Sequence, residues 1–364
     1  MEYVQERVTT LHDFHGHVPT IPLNNTAVIV PLTEHDYASA ASTRVFEVLS
    51  TLDVELVVVA LRSPANRVGA IQTWLDGFDL PLTLLWCNDP SVEAILDNAG
   101  LCGDAGKGRD VWLALGVAAD AAEYVAVHDA DATTYDDTHV QRLVWPLQQD
   151  FEFSKGYYAR VENDRLYGRL FRLFYAPLVQ ALASTNDEPI LDYLGSFRYA
   201  LAGEFAVTAD LARRLSVPRG WGLEVGTLGD AFEHAGFRGT AQVDLGVHEH
   251  DHRSVRGPGG LAGMSDDVGE TLFSVVERHG VRPEYDVLSE HYRAAGSMLV
   301  DQYAADAAFN GLSFDRTAEL EQVAVYADSI HPPENAPTLP AWVDAPISPA
   351  DLRFVADGKV GERN

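Results

Sequence analysis

Short apolar runs recur through the first third of the chain, each followed by a stretch with apolar positions every third or fourth residue. The runs at 26–31 (TAVIVP), 54–61 (VELVVVAL), 80–87 (LPLTLLWC) and 123–128 predict strands. The run at 54–61 shows no polar alternation, so its strand is expected to be covered on both faces. Helices are predicted at 39–52, 64–76, 90–98 and 107–118, with Pro64 suited to a first turn. Strand and helix in turn at this spacing mean βαβ units around a parallel sheet, whose ligands bind at the carboxyl ends of the strands.

The second half is less regular. Strands are predicted at 151–159, 199–207 and 240–249, and helices at 166–184, 208–215 and 224–236. Residues 253–264 (RSVRGPGGLAGM) form a Gly-rich stretch suited to a lid or a boundary. Residues 266–330 read as helical, and a Pro-rich tail that wraps or dangles follows from 331. The division expected is an N-terminal segment (1–24), an α/β domain (25–255), a helical extension (256–330) and the tail (331–364).

Composition narrows the function. A hydrophobic content of 46% over 364 residues is ample for a core, while 54 acidic against 26 basic residues leave a net charge of −28. A folded protein this acidic repels nucleic acid and anionic membranes, so neither is expected as a partner. The charge is spread along the chain, as in adaptation to a salt-rich cytoplasm, a halophilic trait. Cys87 and Cys102 make neither a disulfide framework nor a zinc cluster and fit a reducing compartment. No basic, apolar leader and no run of about 20 apolar residues is present, so a soluble cytoplasmic protein without a membrane span is expected.

Candidate chemistry begins where the fourth strand ends, at His128-Asp129-Ala130-Asp131. Two carboxylates beyond a strand end suit a divalent cation with oxygen ligands, though in so acidic a chain they also read as plain surface. Val247-His-Glu-His-Asp-His252 offers three histidines, read as completing a cation site, as a zinc site or as a solvated loop. Gly106-Lys107-Gly108 opens a predicted helix. It suits a phosphate, or an ordinary turn and cap. Lys155, Arg160, Gly168-Arg169 and Arg172 cluster in a chain poor in base, as an anionic substrate or surface ion pairs would require. Glu204 and Glu224 each stand beside a glycine near an element end, where a capping role competes with a catalytic one.

The order of the segments carries more than any one of them. IVPLTEHD (29–36), AGKGRDVWLAL (105–115), VAVHDAD (125–131), SKGYYARVENDRLYGRL (154–170), ALAGEFAVTADLARRL (200–215), PRGWGLEVGTLGDAF (218–232) and AQVDLGVHEHDHR (241–253) succeed each other in a way that resembles glycosyltransferase family 81. That family holds the glucosyl-3-phosphoglycerate and mannosyl-3-phosphoglycerate synthases. The resemblance implies a GT-A fold, Rossmann-like and mostly parallel, with a helical C-terminal extension and a homodimer. It implies Mg2+ or Mn2+ and retaining transfer of a hexose from UDP-glucose or GDP-mannose to a small anionic acceptor such as 3-phosphoglycerate.

Carried over residue by residue, Pro31, Leu32 and Glu34 match the nucleotide grip, with Ser63 in a related role. Lys107 matches a lysine near the donor. Asp131 matches the main metal carboxylate with Asp129 its companion, and His250 matches the histidine ligand. Gly168 and Arg169 match acceptor contacts, beside which Lys155 and Arg160 of the basic cluster are assigned to the acceptor, and Glu204 and Glu224 match acids near the reacting sugar. The chain departs from the family at ALRSPANR (60–67), where an acidic-Ser-Gly-Ser stretch is usual, and at Phe171, where a threonine is expected. Two other readings compete. A sugar nucleotidyltransferase would need a Gly-rich basic loop after the first strand, where PLTEHDYASAAS stands instead. The other is a degenerate transferase that only binds nucleotide-sugar.

Overall fold

Residues 26–30 and 57–61 of the two central apolar runs are all buried, and alternate residues serve opposite sides of one sheet. Ala27, Ile29, Val58 and Ala60 join one core, while Val28, Val30, Val57, Val59 and Leu61 join the other. Polar alternation is absent because neither face meets water. A computed structural model describes residues 5–249, 261–334 and 338–361.

The first half runs β1 (Thr9–Leu11), β2 (Thr26–Thr33), α1 (Ala40–Leu49), β3 (Leu56–Arg62), α2 (Ala65–Leu75), β4 (Leu82–Trp86), α3 (Pro90–Asn98), α4 (Lys107–Ala121), β5 (Tyr124–Val127) and α5 (Thr138–Val144). It continues with β6 (Phe153–Ala159), the hairpin β7 (Val161–Glu162) and β8 (Arg165–Leu166), α6 (Ala176–Ala183), α7 (Pro189–Leu194), β9 (Phe205–Thr208), α8 (Ala209–Ala212), β10 (Val217–Pro218), α9 (Leu223–His234) and β11 (Thr240–Val247). The extension is α10 (Leu261–Arg278), α11 (Tyr285–Phe309) and α12 (Arg316–Tyr326), and the tail gives β12 (Thr338–Leu339) and α13 (Pro349–Gly361). None of the described helices is long and apolar enough to cross a membrane.

Among the described residues the main sheet has eight strands in the order β1-β11-β6-β9-β5-β2-β3-β4. All neighbours are parallel except β9, which runs against both β5 and β6. That reversal matters for chemistry. Phe205, the first residue of β9, pairs with Val127, the last of β5. The loop entering β9 therefore meets the loop leaving β5 at the edge where the parallel strands end.

Two expectations need correction. The helix read at 166–184 starts only at Leu170, as one π turn (Leu170–Tyr175) leading into α6. Arg165–Leu166 pairs in the hairpin instead, and Gly168 at φ +75° breaks the path between them. The strand read at 199–207 is confined to Phe205–Thr208. Tyr199 turns its ring onto Tyr158 and Phe171, with centroids 5.0 and 5.1 Å apart. The sequence reading also lacks β1, α5 and α7, and most of the Gly-rich stretch at 253–264 lies outside the described residues.

The tail wraps. β12 pairs antiparallel with β10, and Trp342 stacks on Trp112 of α4 with centroids 4.4 Å apart. Each indole donates to the other strand of chain, Trp112 Nε1 to Pro340 O and Trp342 Nε1 to Trp112 O, both at 2.8 Å. Gly116 leaves the room, since a Cβ there would fall 2.3 Å from the Trp342 ring. Trp342→Ala should cost about 3–5 kcal/mol, read as a lower denaturant midpoint at unchanged slope. A loss under about 1 kcal/mol would show the clasp to be superficial.

Candidate active site

β5 stops at Val127, and the next backbone N–H, on His128, still bonds to Ile29 O at 3.0 Å. The chain then turns, and Asp129 meets Lys107, the first residue of α4. The Lys107 ammonium lies 2.7 Å from Asp129 Oδ1 and 3.2 Å from Glu224 Oε1 in the first turn of α9. One cation thus ties three elements. Gly203 lets the loop before β9 close onto this knot, because a Cβ there would sit 2.1 Å from Asp129 Oδ2. Glu204 follows it, 1% exposed, with its Oε1 3.6 Å from His248 Nε2. His248 in turn stacks on Tyr158, ring centroids 4.1 Å apart.

The glycines flanking Lys107 have a packing explanation. A Cβ on Gly106 or Gly108 would lie 2.3 Å from Arg219 O or 1.8 Å from Pro218 O. They let the start of α4 lie against the 218–220 segment, and Arg109 N bonds to Arg219 O at 3.1 Å.

Electrostatics follow from acids crowded into a poorly hydrated place. Burial pushes the Asp131 carboxyl up to about 7, and Asp129, Glu204 and Asp36 add to the rise against Lys107. Glu204 is raised by the same causes, burial first and Asp129 second. Burial would lower Lys107, but Asp129 and Glu224 together hold its ammonium well above the ordinary lysine value. Asp131 Oδ1 is buried with no hydrogen-bond partner among the described residues. An oxygen-rich, over-negative site with such an atom fits a hard divalent cation. Among the described residues no three His, Cys, Asp or Glu side chains are arranged to hold a metal alone. His250 lies outside the described residues. The segment before it is nevertheless fastened to the turn after Asp131, with Thr133 N donating to Glu249 O at 2.8 Å and Thr133 Oγ1 to the same oxygen at 3.1 Å.

A cavity of about 190 Å3 opens over this knot. Pro31, Leu32, Lys107, Asp129 and Asp131 line it as the sequence suggests, whereas Glu34 and Ser63 do not. Asp36 takes the place expected of Glu34, its carboxylate accepting from Thr33 N and Oγ1. Arg62 replaces Ser63 on the wall, with its Nε 3.2 Å from Asp110 Oδ2. Ser63 instead donates its backbone N–H to Asn88 Oδ1 at 3.0 Å. A second opening of about 300 Å3 shares Arg62, Lys107 and Trp221 with the first.

The basic cluster is dispersed. Arg160 lines a cavity of about 520 Å3 between the β7–β8 hairpin and α11, with Arg172 and Arg198. Gly168 packs against Tyr199, whose Oη would be 3.2 Å from an added Cβ. Arg169 reaches Glu319 of α12. Lys155 lines neither this cavity nor the one over Asp131. It is 1% exposed, donates to Ala202 O, and burial lowers its ammonium to about 8. Glu224 serves Lys107 rather than capping α9, whose N-cap is Gly222.

Asp36, Arg62 and Trp221 therefore line the cavity over Asp131 and are missing from the sequence reading. Trp221 carries a local mark, its place between two glycines in RGWG. One acid among 54 carries no such mark.

No protein-family model matches the chain. It is 32% identical to the glucosyl-3-phosphoglycerate synthase of Methanococcoides burtonii, covering 97% of this chain and 96% of that protein. The enzyme of that name from Persephonella marina is also 32% identical, over 88% and 85%. The crystal structure of glucosyl-3-phosphoglycerate synthase from Mycobacterium tuberculosis with Mn2+, UDP-glucose and phosphoglyceric acid aligns at a TM-score of 0.57. That alignment covers 77% of this chain and 90% of that one at 23% identity, and it shows a shared GT-A fold.

A carboxyl raised in the folded state keeps a proton that the unfolded chain has released. The Asp131 burden on stability therefore grows as pH rises from the ordinary carboxylate range through about 7. A cation relieves it only once the proton has left. The rise in melting temperature on adding Mn2+ should be larger at about pH 8 than at about pH 5, and Asp131→Asn should remove most of that difference. Equal shifts at both pH values would place the cation elsewhere.

Proposed function

The chain belongs to the glucosyl-3-phosphoglycerate synthase family of glycosyltransferases, and on that premise we propose that it moves glucose from UDP-glucose to 3-phosphoglycerate with Mg2+ or Mn2+ bound and with retention at the anomeric carbon. One observation carries the reading. Asp129, Asp131, Lys107, Glu204 and Glu224 come from four separate stretches of chain and meet at one sheet edge beside a cavity.

Asp131 would hold the cation, with His250 as the second protein ligand that the resemblance implies. The cation, when bound, draws off the negative charge that develops on the diphosphate as the sugar–phosphate bond breaks. Lys107 stays protonated between its two carboxylates and offers a fixed positive charge to the donor phosphates. Because Asp129 and Glu224 already orient it, little reorganisation accompanies the reaction. Pro31 and Leu32 shape the nucleotide end of the cavity, with Arg62 and Trp221 at its wall. Glu204 and Glu224 flank the sugar. Arg160 and Arg169 take the acceptor's phosphate and carboxylate, where a planar guanidinium matches either group. The acceptor hydroxyl attacks the anomeric carbon on the face the diphosphate leaves, and its proton passes to the departing phosphate oxygen.

The test is release of nucleoside diphosphate in a screen of UDP-glucose, GDP-glucose and GDP-mannose against 3-phosphoglycerate and glycerate, with Mn2+ and at high salt. UDP-glucose with 3-phosphoglycerate should give the highest kcat/KM, and NMR of the product should show the α-anomer. Asp131→Ala should lower kcat/KM by at least about 100-fold. Metal-dependent turnover that survives this change would end the proposal.

A further inference from the structure

Arg169 leaves the π turn at the start of the 170–183 helical segment, half-exposed, with its Nε 2.9 Å from Glu319 Oε1. The other carboxylate oxygen, Glu319 Oε2, accepts from Arg172 Nη1 at 2.9 Å. Glu319 is 4% exposed and belongs to α12 of the C-terminal extension. Arg172 is fully committed. Its Nε donates to Tyr167 O at 2.9 Å, and its guanidinium lies over the Tyr303 ring at 4.7 Å. Among the described residues, Arg169 makes no hydrogen bond through its two terminal nitrogens. The chain Tyr167–Arg172–Glu319–Arg169 thus runs from a rigid anchor to a guanidinium held at one edge and open at the other.

We propose that Glu319 is a positioning residue for the acceptor: it grips Arg169 through Nε and presents the two terminal nitrogens as a preformed fork for the acceptor's anionic group. The inference rests on the reading of Arg169 as an acceptor contact given above. A free arginine would lose rotamer freedom on each binding event, and the Glu319 clamp spends that entropy during folding. The extension supports the same place at a second point. Ser313 N, in the turn between α11 and α12, donates to Asp164 O at the tip of the β7–β8 hairpin, at 2.7 Å. The acceptor side of the site is therefore built by the helical extension as much as by the sheet.

Charge alone gives the opposite expectation. A carboxylate beside an anion site repels the anion, so its removal should tighten acceptor binding. Positioning says that its removal weakens it.

The test is steady-state kinetics on Glu319→Gln, Glu319→Asp, Arg169→Ala and the double variant Glu319→Gln/Arg169→Ala, with melting curves for each. Glu319→Gln should raise the acceptor KM about tenfold with the donor KM unchanged. Glu319→Asp keeps the charge and shortens the reach, and it should raise the acceptor KM as well. In the Arg169→Ala background the Glu319→Gln change should have no further effect on the acceptor KM. An acceptor KM in Glu319→Gln that is unchanged or lower overturns the proposal, as does a rise of equal size in the Arg169→Ala background. If Glu319→Gln melts too low to assay, Glu319→Asp decides, since a wild-type KM there means that charge and not geometry is needed. An Arg169→Ala protein with a wild-type acceptor KM would sink the acceptor reading itself, a result distinct from a null effect at Glu319 alone.

Discussion

The site depends on one ammonium group shared by two carboxylates. Lys107 opens α4, Asp129 follows β5 and Glu224 lies in the first turn of α9, so their meeting fixes the relative places of three elements. A buried ion pair is poor evidence of stability, because desolvation of the charges offsets much of their attraction. Its value here is in register. With Lys107 neutral or absent, Asp129 and Glu224 would be left facing each other in a poorly hydrated place together with Asp131 and Glu204. The site holds more negative charge than its own cations balance, and a divalent ion would be the natural complement.

Backbone geometry makes that crowding possible. Three glycines at the knot are there because their neighbours come too close for a side chain. Gly203 admits the Asp129 carboxylate, and Gly106 and Gly108 admit the carbonyls of Arg219 and Pro218. The antiparallel β9 brings the 203–204 loop to the edge where β5 ends, which a wholly parallel sheet would not do. Chemistry and topology are thus coupled through one reversed strand.

The first half was readable because its signal is local. Unbroken apolar runs alternating with amphipathic stretches leave little but a parallel sheet, and strand ends then locate His128–Asp131. The second half was less so. The run YALAGEFAVT looks like one strand, yet its first half packs around the site, with Tyr199 against Tyr158 and Gly203 against Asp129. Lys155 looks like part of a substrate-facing basic cluster, but the inward face of β6 takes it into the core. Glu34 and Asp36 are both acids after β2, and only the turn that bends Thr33 onto Asp36 decides between them. Glu319 is hidden altogether, since its partners stand about 150 residues away and no spacing rule reaches so far.

The pairing of β12 with β10 bears on the order in which the site matures. β10 leads directly into Arg219–Gly222, the segment that packs on the start of α4 and carries Trp221 to the cavity wall. During synthesis the sheet and its carboxylates can assemble once the strands have emerged, but this segment lacks its partner strand until residues beyond 338 have left the ribosome. A nascent chain stalled short of that point would hold the acids without a finished rim around them.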